Sequence, residues 1–167
     1  MKKIVIAGGC FWGVERYYSL LKGIEKTKVG YANGNIENPT YQEVKTGKTN
    51  FVEAVELTYD ENVISLNKIL EHLFRFIDPT SLNHQGGDFG TQYRTGIYYE
   101  DIEDKKLAIE FIKAMQKNYQ EPIVVEVLPL HNFYDAEEYH QKYLEKNPSG
   151  YCHVNIHLIK PEEKKEV

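Results

Sequence analysis

The spacing of apolar and polar residues changes repeatedly along the chain and predicts its elements. Lys3 to Ala7 is a short apolar strand, broken by Gly8-Gly9. Phe11, Val14, Tyr17, Tyr18 and Leu21 then recur at helical intervals, and Gly23 can end that helix. Lys26 to Ala32 reads as a strand, closed by the turn signal Asn33-Gly34. Residues 35–50 are polar, contain Asn38-Pro39 and Gly47, and are expected to form a loop. Phe51 to Tyr59 alternates with period two, as a strand does. A helix from about Ser65 to Ile77 carries Leu66, Ile69, Leu70, Leu73, Phe74 and Ile77 on one face, with Ser65 as N-cap and Asp78-Pro79 as stop. Residues 80–95 form a long Gly- and Asn-containing loop, and loops of that length often carry function. Thr95 to Tyr99 is expected as a strand, Asp101 to Tyr119 as a helix and Ile123 to Leu130 as a strand. Asp135 to Lys146 is expected as a helix ended by Asn147-Pro148, with loop and tail beyond it.

Strands alternating with helices indicate an α/β (α+β) two-layer sandwich. The order strand–helix–strand–strand–helix–strand is the ferredoxin-like pattern. It predicts a ferredoxin-like core with a mixed sheet, long loops and an irregular C-terminal tail. The 167 residues suit one domain, with a core over about residues 3–153 and a charged tail over about 158–167. A net charge of −5 argues against general nucleic-acid binding, which needs a basic face. The run Ile4-Val5-Ile6-Ala7 is too short for a signal-peptide core or a membrane span, so no membrane association is expected. Cys10 and Cys152 are the only cysteines, which excludes a disulfide scaffold and any four-cysteine metal site. A reducing, cytoplasmic setting is the expectation.

Three places carry candidate chemistry. Cys10 follows a strand and two glycines and opens a helix, where free N–H groups favour a thiolate and lower the thiol pKa. The competing reading is a small buried hydrophobe. Glu53 is the one charged residue on the strand face of Phe51, Val55, Leu57 and Tyr59. Desolvation there would keep it protonated, able to donate a proton near neutral pH. Escape to solvent near Asn50 is the alternative. Tyr41, Asp88 and Tyr93 lie on polar or glycine-rich loops that a ligand can approach, although Asp88 can equally cap a turn and Arg94 pair with an exposed acid. Phe11 and Trp12 can wall an apolar pocket, or be core and surface residues respectively. His84 and His140 are both possible bases for Cys10, and spacing selects neither. His153 and His157 lie near Cys152 but lack zinc spacing with Cys10, so no metal is expected.

Gly9-Cys10-Phe11-Trp12-Gly13-Val14-Glu15 resembles the signature of the A-type peptide methionine sulfoxide reductases. The likeness continues through Val29 to Ala32, Asn38 to Tyr41, Glu53 to Val55, Asp78-Pro79, Gly87-Asp88, Gly90 to Arg94, Tyr139 to Gln141, Asn147-Pro148 and Gly150 to Cys152. It implies reduction of methionine-S-sulfoxide, free or in proteins, as a protein-repair activity under oxidative stress. It further implies Cys10 as nucleophile, with Glu53, Tyr41 and Tyr93 around the sulfoxide oxygen. Phe11 and Trp12 would line the methyl pocket, and Asp88 would stand at the edge of the site. Cys152 would resolve a Cys10 sulfenic acid to a disulfide, which thioredoxin or a similar dithiol reductant would reopen. No cofactor is implied, and a monomer is expected. The chain departs from the family pattern at Asn33, where glycine is common, and at Phe51, where histidine is common. Some relatives have cysteine where this chain has Lys45, and some carry a further cysteine beyond Cys152.

Overall fold

The computed structural model describes residues 1–166. The chain runs through β1 (Lys2–Gly8), α1 (Phe11–Ser19), β2 (Ile24–Ala32), α2 (Tyr41–Lys45), β3 (Val52–Tyr59) and α3 (Leu66–Phe76). A small hairpin follows, β4 (His84–Gln85) with β5 (Asp88–Phe89). Then come β6 (Thr95–Tyr99), α4 (Ile102–Met115), β7 (Glu126–Pro129), β8 (Phe133–Asp135) and α5 (Tyr143–Lys146). Six strands form one sheet in the order β7-β6-β1-β3-β2-β8. Its central four are antiparallel in the order β6-β1-β3-β2, which is the expected ferredoxin-like core. β7 joins one edge parallel to β6, with α4 as the crossover, so the sheet is mixed.

Alternation sorts β3 as the pattern predicts. Phe51, Val55, Leu57 and Tyr59 join the large core beneath α1 and α3, while Val52 and Ala54 pack on the opposite face with Val5, Ala7 and Tyr98. The predicted N-cap holds, since Ser65 Oγ accepts from the Lys68 N–H at 3.1 Å. At Asn33 the left-handed backbone (φ 55°) explains the departure from glycine, because asparagine tolerates that conformation. Its side chain also bonds the Pro129 carbonyl and the His131 N–H. Phe51, in place of histidine, is fully buried and packs edge-on against Tyr134.

Three expectations are corrected. The 35–50 loop contains α2, started by a capping box between Thr40 and Glu43 that polar composition concealed. The 80–95 loop contains the β4–β5 hairpin and a 3₁₀ turn at Thr91–Tyr93. The predicted helix over 135–146 does not form as one element. Its start is β8, Glu138–His140 is a 3₁₀ turn, Lys142 is left-handed (φ 53°), and only Tyr143–Lys146 is helical. Tertiary bonds win there. The Gln141 side chain bonds both polar groups of the Val29 backbone, and the Lys142 N–H donates to buried Glu15 at 2.7 Å. The charged tail is irregular but docked. The Arg75 guanidinium makes two bonds to Glu163, at 2.7 and 2.8 Å, and Lys22 and Lys165 pair through their backbones with Glu163 and Leu20.

Candidate active site

The end of β1 sets the nucleophile. Gly9 has φ +95°, a conformation that side-chain-bearing residues rarely adopt, and turns the chain sharply into α1. Cys10 is the N-cap of α1 and is 8% exposed. Cys10 does not cap the helix through its side chain. The Phe11 N–H instead donates to Glu53 Oε1 at 3.2 Å. Two stretches separated by 42 residues are thereby joined, with β3 delivering an acid to the first turn of α1 beside the thiol.

Glu53 does not escape to solvent, being only 2% exposed. Burial pushes its pKa up to about 8; the Phe11 N–H opposes the rise and the charge of Asp88 adds to it. The carboxyl is therefore predominantly neutral at pH 7. Cys10 departs from the sequence expectation of a lowered thiol pKa. Burial and the neighbouring Glu53 push it well up, and the Trp12 backbone N–H only partly offsets them. The helix N-terminus is present, but desolvation outweighs it.

Two phenols face this pair. Tyr41 opens α2, and Tyr93 ends the 3₁₀ turn before β6. Burial and the charge of Glu53 raise both their pKa values, so both are O–H donors at neutral pH. Asp88, on β5, accepts from the Tyr151 hydroxyl at 3.0 Å. Arg94 does more than pair with an exposed acid. It bonds Glu126 and the carbonyls of Thr91 and Asn50, clipping the Tyr93 turn to the start of β3.

Phe11 is buried, and Trp12 is half-buried beside it. The Trp12 indole stacks on Tyr143 at 3.7 Å between ring centroids and donates its N–H to His140 Nδ1 at 3.0 Å. His140 thus holds Trp12. His84, the other candidate base, instead bonds the Gly86 carbonyl. Residues that the sequence reading missed complete the surround. Glu137 accepts from the Tyr41 N–H at 3.0 Å and the Tyr31 hydroxyl at 2.8 Å. Burial opposes its charge, but those donors hold its pKa below the ordinary range. An isolated Glu-Glu pair in sequence gives no sign of partners about a hundred residues away.

Cys152 lies exposed near the other end of the chain, and both cysteines are free thiols. Its Sγ donates to the Val154 carbonyl at 3.1 Å. A Cβ placed on Gly13 would lie 3.2 Å from that sulfur, so Cys152 rests against the first turn of α1. A groove of about 270 Å³ runs beside it, lined in part by Arg16, Leu144, Pro148 and Ile156. A wider depression of about 960 Å³ lies among Lys3, Lys26, Lys28 and Lys142 and includes none of the candidate site residues. Volume alone would have pointed away from the clustered thiol, acid and phenols. Among the described residues no three His, Cys, Asp or Glu side chains gather to hold a metal ion, and no helix is long and apolar enough to cross a membrane.

Comparison with known proteins shows the family. The family described as Peptide methionine sulfoxide reductase matches residues 2–167. The peptide methionine sulfoxide reductase MsrA of Clostridium acetobutylicum is 57% identical over 160 residues, 96% of this chain and 99% of that one. The reduced form of Mxr1 from Saccharomyces cerevisiae superposes with a TM-score of 0.88 at 41% identity, covering 92% of this chain and 91% of that one. Mxr1 in complex with Trx2 superposes at 0.62 and 31% identity, covering 85% and 84%. The chain belongs to the peptide methionine sulfoxide reductase family and is an oxidoreductase that reduces methionine sulfoxide.

Proposed function

We propose that Cys10 attacks the sulfur of methionine-S-sulfoxide while Glu53 protonates the departing oxygen. One observation carries this reading: a carboxyl only 2% exposed accepts from the α1 N–H next to the thiol, and that burial pushes its pKa up to about 8. A sulfoxide oxygen is a poor leaving group until it is protonated or strongly hydrogen-bonded, and a neutral acid in a dry site supplies that proton. The Tyr41 and Tyr93 hydroxyls hold the oxygen as its charge changes. The positive end of the sulfoxide dipole facing Sγ favours the thiolate, offsetting the burial that keeps the unliganded thiol protonated. Phe11 and Trp12 take the methyl group on an apolar wall, and Asp88 with Tyr151 borders the polar side.

The attack forms an S–S bond to the substrate sulfur and the protonated oxygen leaves as water. A water molecule then adds to the Cys10 sulfur, that S–S bond breaks, and methionine departs to leave Cys10 as a sulfenic acid. Cys152 condenses with it to a disulfide. A thioredoxin-type dithiol then reopens the bond by exchange, approaching from the exposed side of Cys152. The complex of the relative Mxr1 with Trx2 supports that choice of reductant. The chain works as one catalytic domain and as a monomer, without cofactor, in a reducing cytoplasm that keeps both thiols free.

The test is an epimer-resolved assay with mass analysis of the product enzyme. The expected result is consumption of the S epimer alone, with one Cys10–Cys152 disulfide per methionine formed when no reductant is present. Consumption of the R epimer, or methionine formed without that disulfide, contradicts the reading.

A further inference from the structure

His153 follows Cys152 and is turned inward against the nucleophile turn. Its Nε2 bonds the Gly8 carbonyl at 2.8 Å. A carbonyl can only accept, so Nε2 carries the proton and Nδ1 holds a free lone pair. Nδ1 is buried and has no hydrogen-bond partner. Buried polar atoms are normally satisfied, so such an atom beside a reaction centre asks for a function. Its position gives one. A Cβ on Gly13 would lie 3.3 Å from Nδ1 and 3.2 Å from Cys152 Sγ, so the two atoms flank the same bare stretch of α1. A Cβ on Gly9 would lie 2.9 Å from Nε2, which sets the imidazole directly against the residue before Cys10.

We propose that His153 is the general base of the resolving step, with Nδ1 taking the proton from the Cys152 thiol as that sulfur attacks oxidised Cys10. The proposal rests on the reading of Cys152 as resolver. In the reduced protein the thiol donates to the Val154 carbonyl. Attack requires it to give up that contact, and Nδ1 is an acceptor along the same wall of α1. One S–S bond forms and the Cys10 S–O bond breaks. The Cys152 sulfur is oxidised and the Cys10 sulfur reduced. The proton on Nδ1 passes to the departing hydroxide, which leaves as water. Asp88 on β5, the Tyr151 hydroxyl, Cys152 and the Cys10 turn are the titratable groups around the ring. Burial lowers the imidazole pKa, while the Gly8 carbonyl and Asp88 act against that, so Nδ1 is free to accept at neutral pH. A carbonyl-fixed tautomer is how a protein makes one imidazole nitrogen a base.

The experiment mixes the full-length reduced enzyme with methionine-S-sulfoxide and no reductant. Methionine, sulfenic Cys10 trapped by a dimedone reagent, and the Cys10–Cys152 disulfide are each followed in time. His153→Gln keeps a donor for the Gly8 carbonyl and removes the base. The expected result is disulfide formation slowed about 100-fold relative to methionine formation, with sulfenic acid accumulating. The residual rate should also rise with pH as hydroxide takes over from the lost base, a dependence that a merely structural defect does not produce. His153→Asn gives the same ratio by a second route if the Gln protein does not fold. Equal slowing of both steps, or a wild-type ratio, overturns the inference alone. A Cys152→Ser enzyme that clears its sulfenic acid at the wild-type rate overturns the resolver reading beneath it.

Discussion

Cys10 is buried and Cys152 is exposed. Cys10 lies between a central strand and the first turn of α1, enclosed with Glu53. Cys152 lies exposed on a stretch without regular structure, between α5 and the docked tail. Burial raises the pKa of both Cys10 and Glu53, so the unliganded centre holds its protons. That suits a reaction whose leaving oxygen needs a proton, but the same enclosure would exclude a protein reductant. On the proposed mechanism, dividing the work between two thiols lets one be dry and the other reachable. The supports differ in kind as well. Backbone geometry and one carboxyl hold Cys10, whereas side chains gathered from distant elements hold the C-terminal wall.

Breaking each half separately should give unlike defects. Cys10→Ser should abolish methionine formation altogether in a discontinuous product assay. Cys152→Ser should instead release one methionine per enzyme and then stop, even with thioredoxin present. Full steady-state turnover by that variant would erase the division. Next in size, Glu53→Gln should slow the sulfoxide step by about 100- to 10,000-fold in single-turnover mixing. Tyr41→Phe or Tyr93→Phe should cost about tenfold each, less than a sole oxyanion donor because the second phenol remains. Equal losses in the rate of Cys152 oxidation would blur the assignment of the phenols to the first half.

The Glu53 side of the comparison was open to period-two reasoning, because one charge on an apolar strand face is a local anomaly. The Cys10 turn was legible for a similar reason, with strand, two glycines and helix all adjacent in sequence. The direction of the thiol pKa was not. It depends on how an N-terminal helix field balances against burial and a carboxyl brought in from β3, and only packing fixes that balance. The residues over 135–146 are expected to form one helix, ended by Asn147-Pro148. In the fold they serve different neighbours. His140 and Tyr143 grip Trp12, Gln141 anchors to Val29, and Glu137 joins Tyr31 to Tyr41. Each bond spans more than ninety residues, beyond the reach of any local pattern.

Two smaller tests sharpen the contrast in supports. Glu137→Ala should cost about 2 kcal/mol in chemical denaturation, the usual scale for losing hydrogen bonds to a charged acceptor. It should also weaken activity through Tyr41, whose backbone it fixes. Glu163→Gln should cost about 1 kcal/mol or less, since its partners Arg75 and Lys68 are partly exposed, and should leave turnover unchanged. Arg75 above all holds the Glu163 carboxyl well below its ordinary pKa. Its stabilising contribution is therefore present above the ordinary carboxylate range and is lost as pH falls toward the folded value. The Gln variant should accordingly match wild type in strong acid and fall behind it near neutrality.

The most direct test of the neutral-acid account is the pH dependence of the first methionine released, measured by rapid mixing without reductant. At saturating substrate, where the bound sulfoxide already favours the Cys10 thiolate, Glu53 loses its proton as pH rises through about 8, so the wild-type rate should fall above that value. Glu53→Gln should be slow throughout and should lack that fall. A Gln enzyme with wild-type rates and the same alkaline decline would contradict the account.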